Sequence, residues 1–338
     1  MSGSRPLAIT MGDPAGIGPE IIVRLFQKRP EWSQRCAVVG DLAVMRQATA
    51  VTGGLQPVAV LEDWADVGHV PRSSVPVLPW VQAGPDVAWG QVSAAAGLAA
   101  ARSIELAAQA VLTGQAAALV TAPIHKEALH AAGFAHPGHT EYLQALAASH
   151  LGKPVAELPV RMMLSNPELR TVLVSIHVSL REAIDAVTVP NVLETLRITH
   201  RHFCEVLGWP RCRIAVAGLN PHAGEGGLFG AEETLFIAPA VAAARAQGIE
   251  ASGPWPPDTV FMQARQGACD VVVAMYHDQG LIPVKYMGLA HGVNTTLGLP
   301  FLRTSPDHGT AFDLAGTGRA DPASLEAAVL AALAGLPP

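Results

Sequence analysis

The sequence predicts an α/β fold built on a largely parallel sheet, and three observations carry that expectation. Short apolar runs recur along the chain and are closed by turn signals. Alanine- and leucine-rich stretches of helical length separate them. The chain has 338 residues, 50% of them hydrophobic, which is enough for two domains sharing a cleft. The runs Leu7–Thr10, Ala37–Gly40, Ala117–Ala122, Thr171–Ile176, Arg213–Ala217 and Asp270–Met275 read as buried strands. Val92–Leu112, Ala183–Leu207 and Ala231–Gln247 read as helices between them. The uncharged stretch Leu106–Ile124 approaches the length of a membrane span but is broken by Gln109, Thr113, Gly114, Gln115 and Pro123, so it reads as helix, turn and strand. The Pro/Gly-rich segments Pro79–Gly90 and Gly253–Pro257 are short enough to be loops.

Charge narrows the function. Only 15% of residues are charged, the net charge is −6, and no run of Lys or Arg could track a nucleic-acid backbone. Neither nucleic acid nor a membrane is an expected partner. An anionic substrate would have to be drawn by a few local basic groups. Cys36, Cys204, Cys212 and Cys269 form no metal-knuckle or Cys-x-x-Cys spacing, and Met1–Thr10 lacks the pattern of an export signal; a reducing cytoplasm is the expected compartment.

Ligands of open α/β sheets collect just beyond the carboxyl ends of strands, so the polar residues that close the apolar runs carry the chemistry. His177, His222 and His277 each close a separate run. Three imidazoles with coordination positions left open suit zinc, cobalt or another borderline divalent ion at a catalytic site, with magnesium as a further alternative. His200 and His202 lie on nearly opposite sides of an expected helix and read as surface residues. Asp278 and Asp258 are carboxylates placed to orient an imidazole or accept a proton, or in Asp258's case to cap a turn. Gly138-His139-Thr140-Glu141 precedes a helical stretch, where backbone amides and a hydroxyl can meet an anion; Thr140 as a helix cap is the alternative. With Lys285, Asn294 and Arg303 further on, His139 and Thr140 can form a phosphate pocket. The turn Gly12–Glu20 has neither Rossmann nor P-loop spacing, and reads as a tight strand-to-helix connection.

Five motifs then resemble, in order, the signatures of the 4-hydroxythreonine-4-phosphate dehydrogenase family. They are Gly12-Asp13-Pro14-Ala15-Gly16-Ile17-Gly18-Pro19-Glu20, Pro137-Gly138-His139-Thr140-Glu141, Leu219-Asn220-Pro221-His222-Ala223-Gly224-Glu225, Met275-Tyr276-His277-Asp278-Gln279-Gly280 and Gly298-Leu299-Pro300-Phe301-Leu302-Arg303-Thr304. The resemblance runs from about Ile9 to Gly318. It implies that His177, His222 and His277 bind the divalent metal, and that His139, Thr140, Lys285, Asn294 and Arg303 bind substrate. It implies a homodimer with active sites at the subunit interface. The implied fold is similar to isocitrate and isopropylmalate dehydrogenases, with two α/β/α domains around a cleft, one from residues 1–130 and 285–338 and the other from 131–284. The stretch His308–Gly316 resembles the adenosine-binding loop of isopropylmalate dehydrogenases, so that His308, Gly309, Thr310, Asp313 and Leu314 are expected to bind NAD in preference to NADP. The reaction implied is NAD- and metal-dependent oxidation and decarboxylation of 4-hydroxy-L-threonine 4-phosphate, with Asp278, Lys285 or Asp258 handling the proton. Two stretches depart from the biosynthetic pattern: Leu228-Phe229 stands where a histidine is usual, and Ser175–Leu180 differs from the usual sequence. Both resemble paralogues acting on 4-phosphorylated threonate or erythronate. Relatives acting on a terephthalate dihydrodiol usually lack the Gly-His-Thr-Glu element that is present here. On the residues alone, a metal-dependent phosphate-ester hydrolase and a non-catalytic phosphometabolite-binding protein are the rival readings.

Overall fold

The computed structural model describes residues 5–84, 87–136, 138–288 and 291–336. Residues 1–4, Pro137 of the Pro137–Glu141 motif and residues 85–86 of the Pro79–Gly90 loop lie outside the described residues. The chain forms two compact units. The first comprises Met1–Pro159 with Leu299–Leu336, and the second Val160–Gly298.

In the first unit, β1 (Leu7–Thr10), α1 (Gly18–Lys28), β2 (Cys36–Val39), α2 (Leu42–Val51), β3 (Val58–Val60), β4 (Val75–Leu78), α3 (Ala94–Leu112), β5 (Ala118–Thr121), α4 (Lys126–Ala131) and α5 (His139–His150) follow in order. After the second unit come β12 (Arg303–Pro306) and α11 (Ala323–Ala334). The strands run β3-β4-β2-β1-β5-β12, every adjacent pair parallel. Strands buried on both faces need side chains apolar throughout, and every residue of β1, β2, β4 and β5 is buried. Helix α3 is long and apolar enough to cross a membrane, yet most of it is buried in this unit. Its N-cap is Ser93, whose hydroxyl accepts the Ala96 N–H, and it ends at Leu112 before the turn into β5.

The second unit contains β6 (Arg161–Ser165), β7 (Arg170–Leu173), α6 (Leu180–Asp185), α7 (Val189–Arg201), β8 (Ile214–Ala217), α8 (Ala238–Ala246), β9 (Ala251–Trp255), α9 (Pro257–Arg265), β10 (Val271–Ala274), α10 (His277–Tyr286) and β11 (Val293–Leu297). Their order is β11-β6-β7-β10-β8-β9; β6 runs antiparallel to both neighbours, and β7, β10, β8 and β9 are parallel. Alternation along the strands divides the core. Val172, Val216, Val271 and Val273 pack with Leu196 of α7 and Val241 of α8, whereas Leu173, Ala215, Val272 and Ala274 pack with Val260 of α9 and Leu281 of α10. Helices therefore cover both faces of this sheet.

The structure moves several sequence-based boundaries. Residues 131–159 join the first unit because α5 packs on α3, and residues 285–298 join the second because β11 pairs with β6. Lys285 and Asn294 go with them. The expected helix Ala183–Leu207 is interrupted: α6 ends at Asp185, and α7 restarts behind Thr188, whose hydroxyl accepts the Asn191 N–H, with Pro190 in its first turn. The expected helix Ala231–Gln247 narrows to α8, preceded by a wide i→i+5 turn at Glu233–Ile237.

Candidate active site

Strands β7, β10 and β8 lie side by side and parallel, so the loops that follow them leave the same edge of the second unit's sheet. Those loops carry His177, His277 and His222. The rings of His177 and His277 have centroids 5.9 Å apart, and the His222 ring lies 6.2 Å from that of Phe229. The structure thus brings two of the three imidazoles together, and among the described residues no set of three His, Cys, Asp or Glu side chains is gathered around a common point. His177 and His222 are exposed, and His277 is half-buried. His277 is the first residue of α10, and its Nδ1 lies 2.7 Å from the Asp278 carboxylate, which fixes the ring and directs Nε2 to other partners.

The His222 loop has an unusual backbone. From His222 to Gly226 every residue is left-handed, with φ of 54°, 53°, 78°, 44° and 68°. Gly224 and Gly226 adopt this region freely, but His222, Ala223 and Glu225 pay roughly 1–2 kcal/mol each. Such a turn persists only where its surroundings over-determine it. Here the buried Glu233 does so: one carboxylate oxygen accepts the N–H groups of Leu219 and Asn220, both at 2.7 Å, and the other accepts the Asn220 side chain at 3.0 Å.

The other expected groups of this unit are dispersed among its elements. Lys285 is exposed on the last turn of α10, and Asp258 is exposed in the first turn of α9. Asn294 sits within β11 opposite Leu164, with a buried Oδ1 that has no hydrogen-bond partner.

The first unit gathers Arg303 and His139. Arg303 opens β12 and is only 3% exposed; its Nε and Nη2 donate to the Thr121 hydroxyl at 3.2 and 2.6 Å. Burial lowers its pKa from 12.5 to about 10, the nearby Glu141 carboxylate opposing the shift, so the guanidinium is charged at neutral pH. His139 is the first residue of α5, with Gly138 as N-cap; Thr140 is therefore inside the helix and is not its cap. The His139 Nε2 is buried without a hydrogen-bond partner, and burial, followed by the positive charge of Arg303, holds this imidazole well below its usual pKa. A buried guanidinium, a neutral ring nitrogen lacking a partner and the free amides of a helix start are the kinds of group that can receive a tetrahedral dianion.

The loop after β12 belongs to the same unit. The Thr310 carbonyl accepts the Ile17 N–H at 3.0 Å, and Gly16 fits against Thr310 so closely that a Cβ there would lie 2.9 Å from it. Glu20, buried in α1, accepts the N–H groups of Gly316 and Gly318. The glycine-rich turn at Gly12–Glu20 thus grips a second loop. Gly12 itself has φ 77°, and a Cβ there would meet the Pro123 carbonyl at 2.5 Å. Along the gripped loop, His308 Nδ1 lies 3.0 Å from the Gly309 carbonyl, Leu314 N–H donates to Ala311 and Phe312 stacks on His125 at 4.7 Å. Asp313 is exposed, with no hydrogen bond or ion pair among the described residues.

His200 and His202 are not surface residues. After Arg201 the helix widens to an i→i+5 turn at His202–Val206, and this change of pitch carries His202 into the core, 5% exposed against Phe203. His200 is half-buried, with Nδ1 3.6 Å from Cys204 Sγ. Sequence reasoning also missed Thr121, Glu20, Glu233 and Gln279. Of these, Glu20 and Gln279 stood inside recognised motifs, whereas Glu233 and Thr121 carried no local signal.

Comparisons with known proteins identify the family. The family model described as pyridoxal phosphate biosynthetic protein PdxA matches residues 32–332. The chain is 54% identical over 331 residues to the 4-hydroxythreonine-4-phosphate dehydrogenase of Beijerinckia indica, covering 96% of this chain and 93% of that one. It is 44% identical to the D-threonate 4-phosphate dehydrogenase of Salmonella typhimurium, covering 98% of each. The crystal structure of a 4-hydroxythreonine-4-phosphate dehydrogenase from Klebsiella pneumoniae superposes with a TM-score of 0.87 at 42% identity, covering 98% of this chain and 99% of that one. The chain belongs to the pyridoxal phosphate biosynthetic protein PdxA family, and it is an oxidoreductase acting on a CH–OH group.

Proposed function

We propose that this protein oxidises and decarboxylates 4-hydroxy-L-threonine 4-phosphate, using NAD and one divalent ion, zinc, cobalt or magnesium, per subunit. The observation that carries the reading is the placement of three histidine-bearing loops on one edge of adjacent parallel strands, β7, β10 and β8. The donor set fits a borderline divalent ion: imidazoles from His177, His222 and His277, one of them already oriented by Asp278. When bound, the ion supplies Lewis acidity toward the substrate hydroxyl and carboxylate, and the nicotinamide ring accepts the hydride.

The chain's own residues bind, orient and move protons. Arg303, His139 and Thr140 hold the phosphate, with the charged guanidinium and the neutral, partnerless Nε2 of His139 as its recognition elements. Lys285 and Asn294 complete substrate binding; the unpartnered Asn294 Oδ1 awaits a donor. Asp278, Lys285 or Asp258 takes the hydroxyl proton, and all three are exposed. The His308–Leu314 loop, including Gly309 and Thr310, receives the adenosine, and the unpaired Asp313 carboxylate suits the ribose hydroxyls of NAD. The working form is a homodimer in the cytoplasm; the described cysteines are all unbridged, which suits a reducing compartment.

A second substrate is favoured by one observation. Phe229, beside His222, and its exposed neighbour Leu228 occupy the position where the biosynthetic pattern carries a histidine. This favours 4-phospho-D-threonate or 4-phospho-D-erythronate. NADH formation at 340 nm with each phosphorylated substrate, with and without a chelator, tests both readings. The highest kcat/KM identifies the substrate. Phosphate release without NADH would replace the dehydrogenase reading with that of a hydrolase.

A further inference from the structure

The three histidine loops are cross-tied by buried or half-buried polar groups that none of the ligand assignments includes. The Ser175 hydroxyl, two residues before His177, donates to the Met275 carbonyl at 2.9 Å, joining the first loop to the loop of His277. Gln279, two residues after His277, accepts the Met275 N–H at 2.7 Å and donates from Nε2 to the Gly218 carbonyl at 2.7 Å, joining the second loop to the loop of His222. Glu233 then takes the N–H groups of Leu219 and Asn220, and Glu232 takes the Asn220 side chain at 2.7 Å. The chain of bonds runs Ser175, Met275, Gln279, Gly218 and, one residue on, Leu219 to Glu233, passing through all three loops.

The geometry points to Gln279 and Glu233 as positioning residues that set the mutual register of the His177, His222 and His277 loops and thereby the affinity of the divalent ion. The inference rests on the proposed cation role of those histidines. Gln279 is suited to the task because one side chain offers an acceptor to one loop and a donor to the next, which neither a carboxylate nor an alkyl group can do. Glu233 is suited because a single oxygen satisfies two successive N–H groups at the mouth of a left-handed turn, where no backbone carbonyl is in place to do so. Neither residue need touch substrate or metal.

The test is titration of the metal-free protein with cobalt(II) alone, followed by the visible absorption of the bound ion, for wild type, Gln279→Met, Gln279→Glu, Glu233→Gln and Glu233→Ala. Amide hydrogen exchange across residues 218–227 is measured in parallel. Gln279→Met is expected to weaken cobalt binding about 10–100-fold, change the absorption spectrum and speed exchange in that segment, in a protein that still unfolds cooperatively. Gln279→Glu keeps the acceptor for Met275 and loses the donor to Gly218, so its affinity should fall between the two. Glu233→Gln keeps one oxygen for both N–H groups and should be milder than Glu233→Ala; if the alanine variant does not fold, Gln279→Met and Glu233→Gln still decide. Wild-type affinity and spectrum in Gln279→Met and Glu233→Gln would overturn the positioning role alone. A wild-type protein that takes up no cobalt would overturn the cation reading beneath it.

Discussion

The surroundings of Arg303 in the first unit and the histidine edge of the second, the proposed phosphate and metal sites, both contain something unfavourable, but in different parts of the polypeptide. Around Arg303 it is a side chain: a charged guanidinium only 3% exposed, with the Thr121 hydroxyl among its partners. At the edge the side chains are exposed or half-buried, and the backbone is the costly part, three non-glycine residues left-handed in a turn whose entry at Leu219 and Asn220 is tied to Glu233. The difference teaches where each kind of ligand needs pre-organisation. A dianion is bound by charge already stripped of water, so the guanidinium must be desolvated beforehand. A cation ligated by neutral rings needs those rings aimed, so the loops must be fixed beforehand.

The sharpest way to break this contrast is to remove the buried charge. Arg303→Met should raise KM for a phosphorylated substrate by at least about tenfold, since charge-assisted bonds are worth roughly 1.5–3 kcal/mol each. It should at the same time leave the free protein as stable as wild type or more so, because the desolvated charge is gone. His222→Ala, by contrast, should change the unfolding free energy by only about 0.5 kcal/mol, as an exposed side chain does, while abolishing tight metal binding. Urea unfolding and substrate kinetics on the two variants read both halves; an Arg303→Met protein that still discriminates fully in favour of phosphorylated substrate would remove this residue from the pocket.

A second test compares histidines with one another. His202 is buried in the second unit, and burial lowers its pKa from 6.5 to about 4. As the pH falls below 6.5 the unfolded chain takes up a proton that the folded chain refuses. The stabilising contribution is therefore complete above pH 6.5 and is lost between pH 6.5 and about 4. Between pH 7 and pH 5 this amounts to about 2 kcal/mol. His202→Leu should remove that part of the pH dependence, measured as the difference from wild type in unfolding free energy at the two pH values. An unchanged difference would show that the imidazole titrates alike in both states.

The smallest expected effect concerns the loop gripped by Glu20. Wild type should prefer NAD, and the double variant Asp313→Lys, Leu314→Tyr should move the ratio of kcat/KM toward NADP by providing a charge for the 2′-phosphate. Equal use of both cofactors by wild type would mean that the exposed carboxylate does not read the ribose.

Much of this was legible in the sequence, for physical reasons that also explain the failures. The β-branched runs of β1, β2, β5, β7, β8 and β10 are buried on both faces, and their apolar continuity is visible without a structure. Strands β11 and β12, with sequences VNTTL and RTSP, look like loops, because their places in the sheet are set by neighbours distant in sequence. The three histidines were recognisable from their position after strands. The groups holding them were not: Glu233 meets Leu219 across a loop whose left-handed path no propensity encodes, and Thr121 meets Arg303 across a separation of 182 residues, invisible to any local pattern. His202 was misplaced because a regular helical pitch was assumed where the chain widens.

The first unit is discontinuous in sequence, and this governs the order in which its parts leave the ribosome. Its sheet lacks β12 until all of Val160–Gly298 has been synthesised, an interval of roughly seven to thirty seconds at elongation rates of roughly 5–20 residues per second. Throughout that time β5 is an uncovered edge strand, all four of its residues apolar or threonine, and open to pairing with another nascent chain. The strand that finally covers this edge opens with Arg303. A polypeptide truncated before β12 thus lacks Arg303 and keeps an apolar strand edge uncovered by the same omission.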